Sequence, residues 1–233
     1  MLKIDFVSDV ACPWCAVGLN SLEIALKQLG PDVPVSLHFQ PFELNPQMPA
    51  EGADAATYLK NKYGMDDAQL AAARSNIRQR GADVGFTFGE RAHVWNTFDA
   101  HRLLHWAGVV DQQSGGADGH QRALKHALLQ AYHGEGRNPG ATEVLLDLAQ
   151  QVGLDADAAG EVLASGRFAD EVRQAQREWQ DAGIQSVPAI VIDQRHLISG
   201  GQPPEVFERT LRQIAADAAD AADAAQAAQA NAA

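Results

Sequence analysis

The sequence predicts an α/β fold in which a small mixed sheet is interrupted by a large α-helical insertion. Three observations predict it. A strand–helix–strand pattern occupies about the first forty residues, helical patterns then follow one another from about residue 50 to 183, and strand patterns return before a last helix. On this reading residues 1–50 and 184–214 form one body, residues 51–183 a helical lid, and residues 215–233 an alanine-rich tail.

Leu2, Ile4 and Phe6 alternate with Lys3, Asp5 and Val7, which predicts a strand with one well-buried face. Leu19, Leu22, Ala25, Leu26 and Leu29 form a helical stripe that Gly30 and Pro31 end. Val35, Leu37 and Phe39 mark a second strand over Pro34 to Phe42. In the insertion, Asp66 to Arg80 reads as a helix with an Asp start and Gly81 as its stop. Further helices are predicted over Asn96 to Trp106 and Gly119 to Tyr132. Thr142 to Val152 opens on a capping Thr and stops at Gly153, and Asp155 to Ala164 repeats that pattern before Gly166. Phe168, Val172, Ala175 and Trp179 share one helical face, closed by Gly183. Two short strands, Ala189 to Asp193 and His196 to Ser199, meet across a tight turn, and Gly200-Gly201 break the second. Pro203-Pro204 opens a final helix that turns Val206, Phe207, Leu211 and Ile214 inward; proline is tolerated there because first-turn N–H groups lack helical partners. The tail has no large apolar residue to bury, so it is expected either to form a fraying helical extension or to be disordered, and no function is assigned to it.

With 233 residues, 46% hydrophobic and 21% charged, the chain can bury a core without covalent staples. Its net charge of −12 argues against nucleic acid and against anionic membranes, both of which select clustered positive charge. No apolar run of about 18 residues is present, so no membrane span is expected. The start, Met1 to Asp9, lacks the apolar stretch and cleavage site of a secretory signal, and the expected location is cytoplasmic.

Only two cysteines occur, Cys12 and Cys15, in Cys12-Pro13-Trp14-Cys15. Thiols so close cannot tie distant segments together, which turns attention to chemistry. They fall where a strand hands over to a helix. At a helix N-terminus the unpaired N–H groups and the dipole favour a thiolate, which is the reactive form of cysteine. The expectation is that Cys12 attacks a disulfide and Cys15, one turn in, resolves the mixed disulfide. Pro13 pre-sets the first turn, and Trp14 adds an apolar contact without charge. A reduction potential toward the reducing or isomerising end is therefore expected, and a value near −120 mV would refute it. A zinc site would need four ligands; His101 and His105 are four apart, but the pair reads better as a solvated helix edge. No metal is expected. Asp9 is either a turn former or a proton relay to Cys15. Asn45 is either a polar contact to a bound thiol or peptide, or a turn residue. Trp95, Asn96 and Trp106 either line a groove in the lid or pack within it.

With these residues in view, the chain resembles the DsbA-like thioredoxin superfamily, and within it the FrnE-like branch. The resemblance is carried by Ser8-Asp9-Val10-Ala11-Cys12-Pro13-Trp14-Cys15, Pro41-Phe42-Glu43-Leu44-Asn45-Pro46, Asn96-Thr97-Phe98-Asp99-Ala100-His101-Arg102, Ser186-Val187-Pro188 and Ser199-Gly200-Gly201-Gln202-Pro203-Pro204. It spans Lys3 to about Ile214. It implies a thioredoxin-like fold with a large α-helical insertion, and thiol–disulfide exchange with Cys12 as nucleophile and Cys15 as resolving thiol. It also implies a cis peptide bond before Pro188, with the Val187 backbone against a substrate peptide or glutathione. The related 2-hydroxychromene-2-carboxylate isomerases and kappa-class glutathione transferases commonly carry Ser where Cys12 stands, so the two cysteines side with redox chemistry. Some FrnE-like proteins have a further cysteine pair near the C-terminus; this chain has none, so a mechanism needing a second dithiol does not apply.

The resulting expectation is a dithiol–disulfide oxidoreductase or isomerase acting on protein or small-molecule thiols and disulfides. It needs no bound cofactor, and glutathione stands as a candidate co-substrate. Two other classes are a glutathione-dependent transferase or isomerase and a non-catalytic chaperone. The oligomeric state, a homodimer included, is open.

Overall fold

In the computed structural model, which describes residues 1–115 and 119–230, one four-stranded sheet organises the chain. Strand β1 (Leu2–Ser8) lies at its centre, parallel to β2 (Val35–Pro41) and antiparallel to β5 (Ala189–Ile192). Strand β6 (His196–Ser199) completes the order β2-β1-β5-β6. Phe6 therefore pairs with Phe39 on one side and with Ile190 on the other.

The predicted single buried face of β1 is corrected: Ile4, Asp5, Phe6, Val7 and Ser8 are all buried. Both faces of the sheet are covered. Helices α1 (Pro13–Leu29) and α9 (Pro204–Ala230) pack Leu19, Leu22, Phe207 and Leu211 on Ile4 and Phe6. On the other face Val7 meets Phe42, Ile184 and Trp179. Asp5 is tolerated inside because Lys3 lies 3.0 Å from its carboxylate and the Gln40 amide donates to it at 2.7 Å.

Between β2 and β5 run α2 (Ala55–Tyr63), α3 (Asp67–Ala82), α4 (Phe98–Gln113), α5 (His120–Leu129), α6 (Thr142–Gln151), α7 (Ala156–Ser165) and α8 (Ala169–Asp181). A small antiparallel pair, β3 (Ala53–Asp54) with β4 (His93–Val94), anchors α2. Helices α4 to α7 share a second core built on Leu103, Leu124, Leu128, Tyr132, Leu145 and Val162. Val10 is buried in that core although it belongs to the turn after β1, so the two cores meet just before Cys12.

The Asp signals behave as the sequence predicts. Asp66 forms a reciprocal capping box with Gln69, and Asp155 accepts from the Ala158 N–H at 2.8 Å. Two expectations are corrected. Gly81 does not stop α3 but lies buried in its last turn, where a Cβ would sit 2.5 Å from the Phe88 ring. Thr142 is not a cap; Ala141 holds that position without a side-chain bond. Helix α9 continues past Ile214 to Ala230, so the tail takes the helical one of its two expected forms, while its residues 231–233 lie outside the described residues. Helix α2 and the β3–β4 pair were not anticipated. Ala55 is the one buried residue of α2, so the helix shows no apolar stripe.

Candidate active site

The two thiols sit where β1 delivers the chain into α1. Cys12 is the N-cap residue, extended at φ −88° and ψ 114°, with Pro13 opening the helix behind it. The Cys12 N–H donates to the Asp9 carbonyl at 3.2 Å and the Cys15 N–H to the Cys12 carbonyl at 3.0 Å, which closes the turn. No acidic side chain stands in the first turn of α1; the carboxylate that opposes an anion at the helix tip is Asp9, in the turn before it. Both cysteines are free thiols.

Both are buried, but their surroundings differ: Cys15 has no exposed surface, whereas Cys12, 4% exposed, forms part of the lining of a cavity of about 400 Å³. The Cys12 thiol lies 3.4 Å from the Val187 carbonyl, to which it donates. The Val187–Pro188 bond is cis. The Pro188 ring rests on Gly18, where a Cβ would lie only 2.9 Å from its Cγ, so the absent side chain lets this loop reach Cys12. A hydrogen bond from the Cys15 thiol holds Cys12 below the ordinary thiol range, and this outweighs burial and the nearby Asp9 charge. Burial pushes Cys15 well up, and the neighbouring Cys12 adds to that.

Behind the thiols lies a buried polar cluster. Asp9 Oδ1 accepts from the Ala11 N–H (3.0 Å), the Thr97 hydroxyl (2.8 Å) and His101 Nε2 (3.3 Å), and Oδ2 from the Leu44 N–H (2.7 Å). Burial raises this carboxyl, but the bond and charge of His101, with the two amides, hold it below its ordinary value. One carboxylate thereby ties the active turn to the end of β2 and to α4. His133, in the π-helical turn after α5, donates to the Val10 carbonyl at 2.8 Å; burial and the Arg91 charge keep its ring well below the usual imidazole range. Lys125 of α5 is also buried. Burial lowers it, the Cys15 and Asp9 charges oppose that, and its own charge eases the ionisation of Cys15.

Apart from the buried Cys15, the predicted site residues fall into three groups. Asp9, Cys12, Pro13, Trp14 and Asn45 line the cavity. Val187 and Pro188 lie against Cys12 and Gly18. Asn96 does not line it. Its amide donates to the Met48 carbonyl at 2.7 Å and its oxygen accepts from the Phe98 N–H at 2.8 Å, so it fastens the start of α4. Trp95 does line the cavity, while Trp106 packs in the helical core. His101 is corrected from a solvated edge to a buried partner of Asp9. Among the described residues no three His, Cys, Asp or Glu side chains group as metal ligands.

Residues 3–212 match the family model of the DSBA-like thioredoxin domain. The chain belongs to that family. A probable DsbA oxidoreductase from Streptomyces coelicolor is 34% identical, covers 91% of this chain and 89% of its own, and superposes with a TM-score of 0.81. An uncharacterized Bacillus subtilis protein, YwbO, is 28% identical over 90% of this chain and 96% of its own length. The cytosolic disulfide reductase DsbM from Pseudomonas aeruginosa, solved with GSH, shares the fold at 17% identity and a TM-score of 0.61, covering 91% and 98% of the two chains.

In this DSBA-like domain the sequence reading missed the residues of the inserted helices that wall the cavity. Tyr58, Leu59, Tyr63, Leu70 and Ile77 of α2 and α3 face the thiol turn across it, with Lys62, Arg74 and Arg91. Each of these looked like one more surface residue along the chain. The available signal was weak: of the large apolar residues in α2 only Leu59 and Tyr63 fall four apart, with Lys62 alongside. No helix is long and apolar enough to cross a membrane among the described residues.

Proposed function

We propose that this DSBA-like protein exchanges disulfides through its own dithiol, with Cys12 as the attacking and Cys15 as the resolving thiol. The observation that carries this reading is the inequality of the two thiols. One lies on a cavity at a helix tip with its ionised form favoured, and the other is fully buried with its neutral form favoured.

The steps balance as follows. The Cys12 thiolate attacks one sulfur of a substrate disulfide; a Cys12–substrate S–S bond forms, the substrate S–S bond breaks, and the leaving thiolate takes up a proton. Cys15 then loses its proton and attacks the Cys12 sulfur. A Cys12–Cys15 disulfide forms and the second substrate thiolate leaves and is protonated. The substrate has gained two electrons and the protein dithiol has lost two, and an external dithiol returns the protein to its starting state. The reverse sequence oxidises a substrate. Val187, whose carbonyl lies against Cys12, is positioned to meet the substrate backbone. The exchange needs no metal or nucleotide. The fold shared with a reductase solved with GSH makes glutathione a reasonable co-substrate, and the cytoplasm fits this chemistry.

The test is reduction of a small neutral disulfide by wild type, Cys12→Ser and Cys15→Ser. Cys12→Ser is expected to abolish turnover, and Cys15→Ser to accumulate a stable mixed disulfide at Cys12. Turnover that survives in the double Ser variant would contradict the reading. Glutathione conjugation or isomerisation surviving there would favour a transferase or isomerase instead.

A further inference from the structure

The cavity beside Cys12 has an unusual charge balance for a chain of net charge −12. Its lining includes Lys62, Arg74 and Arg91, and the one carboxylate there is Asp9, which is buried with both oxygens engaged. The cations come from separate places: the end of α2, the middle of α3 and the loop before β4. Two are held in position. The Lys62 ammonium donates to the Leu44 carbonyl at 3.0 Å and the Tyr58 hydroxyl at 3.1 Å, and Arg91 donates to the carbonyl of Ala11, next to Cys12, at 3.1 Å. Between them the walls are apolar and aromatic, with Trp14, Tyr63 and Ile77 among them, and Tyr63 is 53% exposed.

The surface continues beyond the thiol. A second cavity of about 370 Å³ shares Pro13, Leu59, Arg74, Ile77 and Arg91 with the first; its other charged walls are Arg78, Asp54 and Glu90, so the excess of cations belongs to the cavity beside Cys12. Two adjoining cavities with common walls suit an extended ligand rather than a compact one. The long-range field of an acidic protein repels such a ligand if it is anionic, but beyond about 8–10 Å that field is screened, so the cations at contact distance decide.

We propose that the cavity beside Cys12 selects disulfides carried on acidic, apolar polypeptide segments, the carboxylates meeting Lys62, Arg74 and Arg91 while an apolar side chain packs between Trp14 and the α2–α3 walls. This rests on the exchange reading above and adds the class of substrate to it. Arg74 contacts both cavities, and its substitution is the most direct probe.

The experiment measures kcat/KM of the full chain for four disulfides. These are a peptide whose cysteine is flanked by Glu and Leu, its counterpart with Lys for Glu, neutral hydroxyethyl disulfide, and the small anionic disulfide dithiodiglycolate. The acidic peptide is expected to exceed the basic one by about tenfold, the scale that several partly exposed ion pairs supply together. That ratio is expected to fall toward one at high salt and in Arg74→Glu, with Lys62→Glu as a second variant. Equal rates for the two peptides, a preference for the basic one, or an acidic preference unchanged by salt and by both variants would overturn the proposal. Dithiodiglycolate used as well as the acidic peptide would overturn the polypeptide assignment. Wild type inert toward hydroxyethyl disulfide would instead sink the exchange reading beneath it.

Discussion

Replacing Asp9 with Asn removes one charge at the point where the active turn, β2 and α4 are fastened together. The carboxylate accepts four hydrogen bonds, three at Oδ1 and one, at 2.7 Å, from the Leu44 N–H at Oδ2. An amide keeps one acceptor and turns the other into a donor. If the carbonyl stays with Ala11, Thr97 and His101, the new NH₂ faces the Leu44 N–H, and a buried donor is left unmade. That mismatch costs about 1–3 kcal/mol, and losing charge assistance in the remaining bonds brings the total to about 3–5 kcal/mol. For a chain of 233 residues, in the class where 1 kcal/mol moves Tm by roughly 2–4 °C, the melting temperature should fall by about 10 °C. The same variant should move Cys12 in the opposite sense from a simple loss of structure. The Asp9 charge opposes Cys12 ionisation, so without it the thiol should titrate lower still. Thermal unfolding and the pH dependence of Cys12 alkylation measure the two effects. An unchanged Tm, or a Cys12 titration that stays put or rises, would refute the reasoning. The pH dependence of stability follows from the same carboxyl. Its folded pKa is depressed below the ordinary 3.8, so its contribution is complete above that value and is lost as pH falls through the lower folded value. Asp9→Asn should lose less stability than wild type across that acidic window.

Gly18→Val should destabilise by about 1–3 kcal/mol and slow exchange, because a Cβ at this position already meets the Pro188 ring at 2.9 Å and pushes the Val187 carbonyl away from Cys12; calorimetry and turnover of a neutral disulfide check both. Lys125→Met keeps the buried volume and removes a charge that eases Cys15 ionisation, so Cys15 should titrate higher and release of the mixed disulfide should slow, with stability unchanged or improved. Ending the chain after Asp217 should leave Tm within about 2 °C, since Ile214 is the last large side chain of α9 in the core.

Much of the fold was readable because its signals are local. Alternation at Leu2, Ile4 and Phe6, and the capping Asp66 and Asp155, are each decided within a few residues. The thiol pair was readable for the same reason: its chemistry comes from a strand-to-helix junction that contains all four motif residues. What escaped depends on contacts distant in the chain. His101 is buried because Asp9, from β1's exit turn, needs a donor there, and nothing near His101 announces that. Lys125 sits beside Leu124, in the buried face whose apolar pattern hides it. Gly81 has the outward mark of a helix stop, but the Phe88 ring that fills its missing side chain comes from the following loop. Lys62 and Arg74 look solvated in isolation; their relation to Cys12 exists only once α2 and α3 fold across the thiol turn.

The unequal thiols are tested most directly by following the alkylation rate of each cysteine against pH in the intact protein, with the site of modification read by mass spectrometry. Cys12 should react first, with a midpoint below the free-thiol value of 9.0, while Cys15 stays unmodified until well above it. Equal reactivity at one shared midpoint, or prior modification of Cys15, would contradict the account.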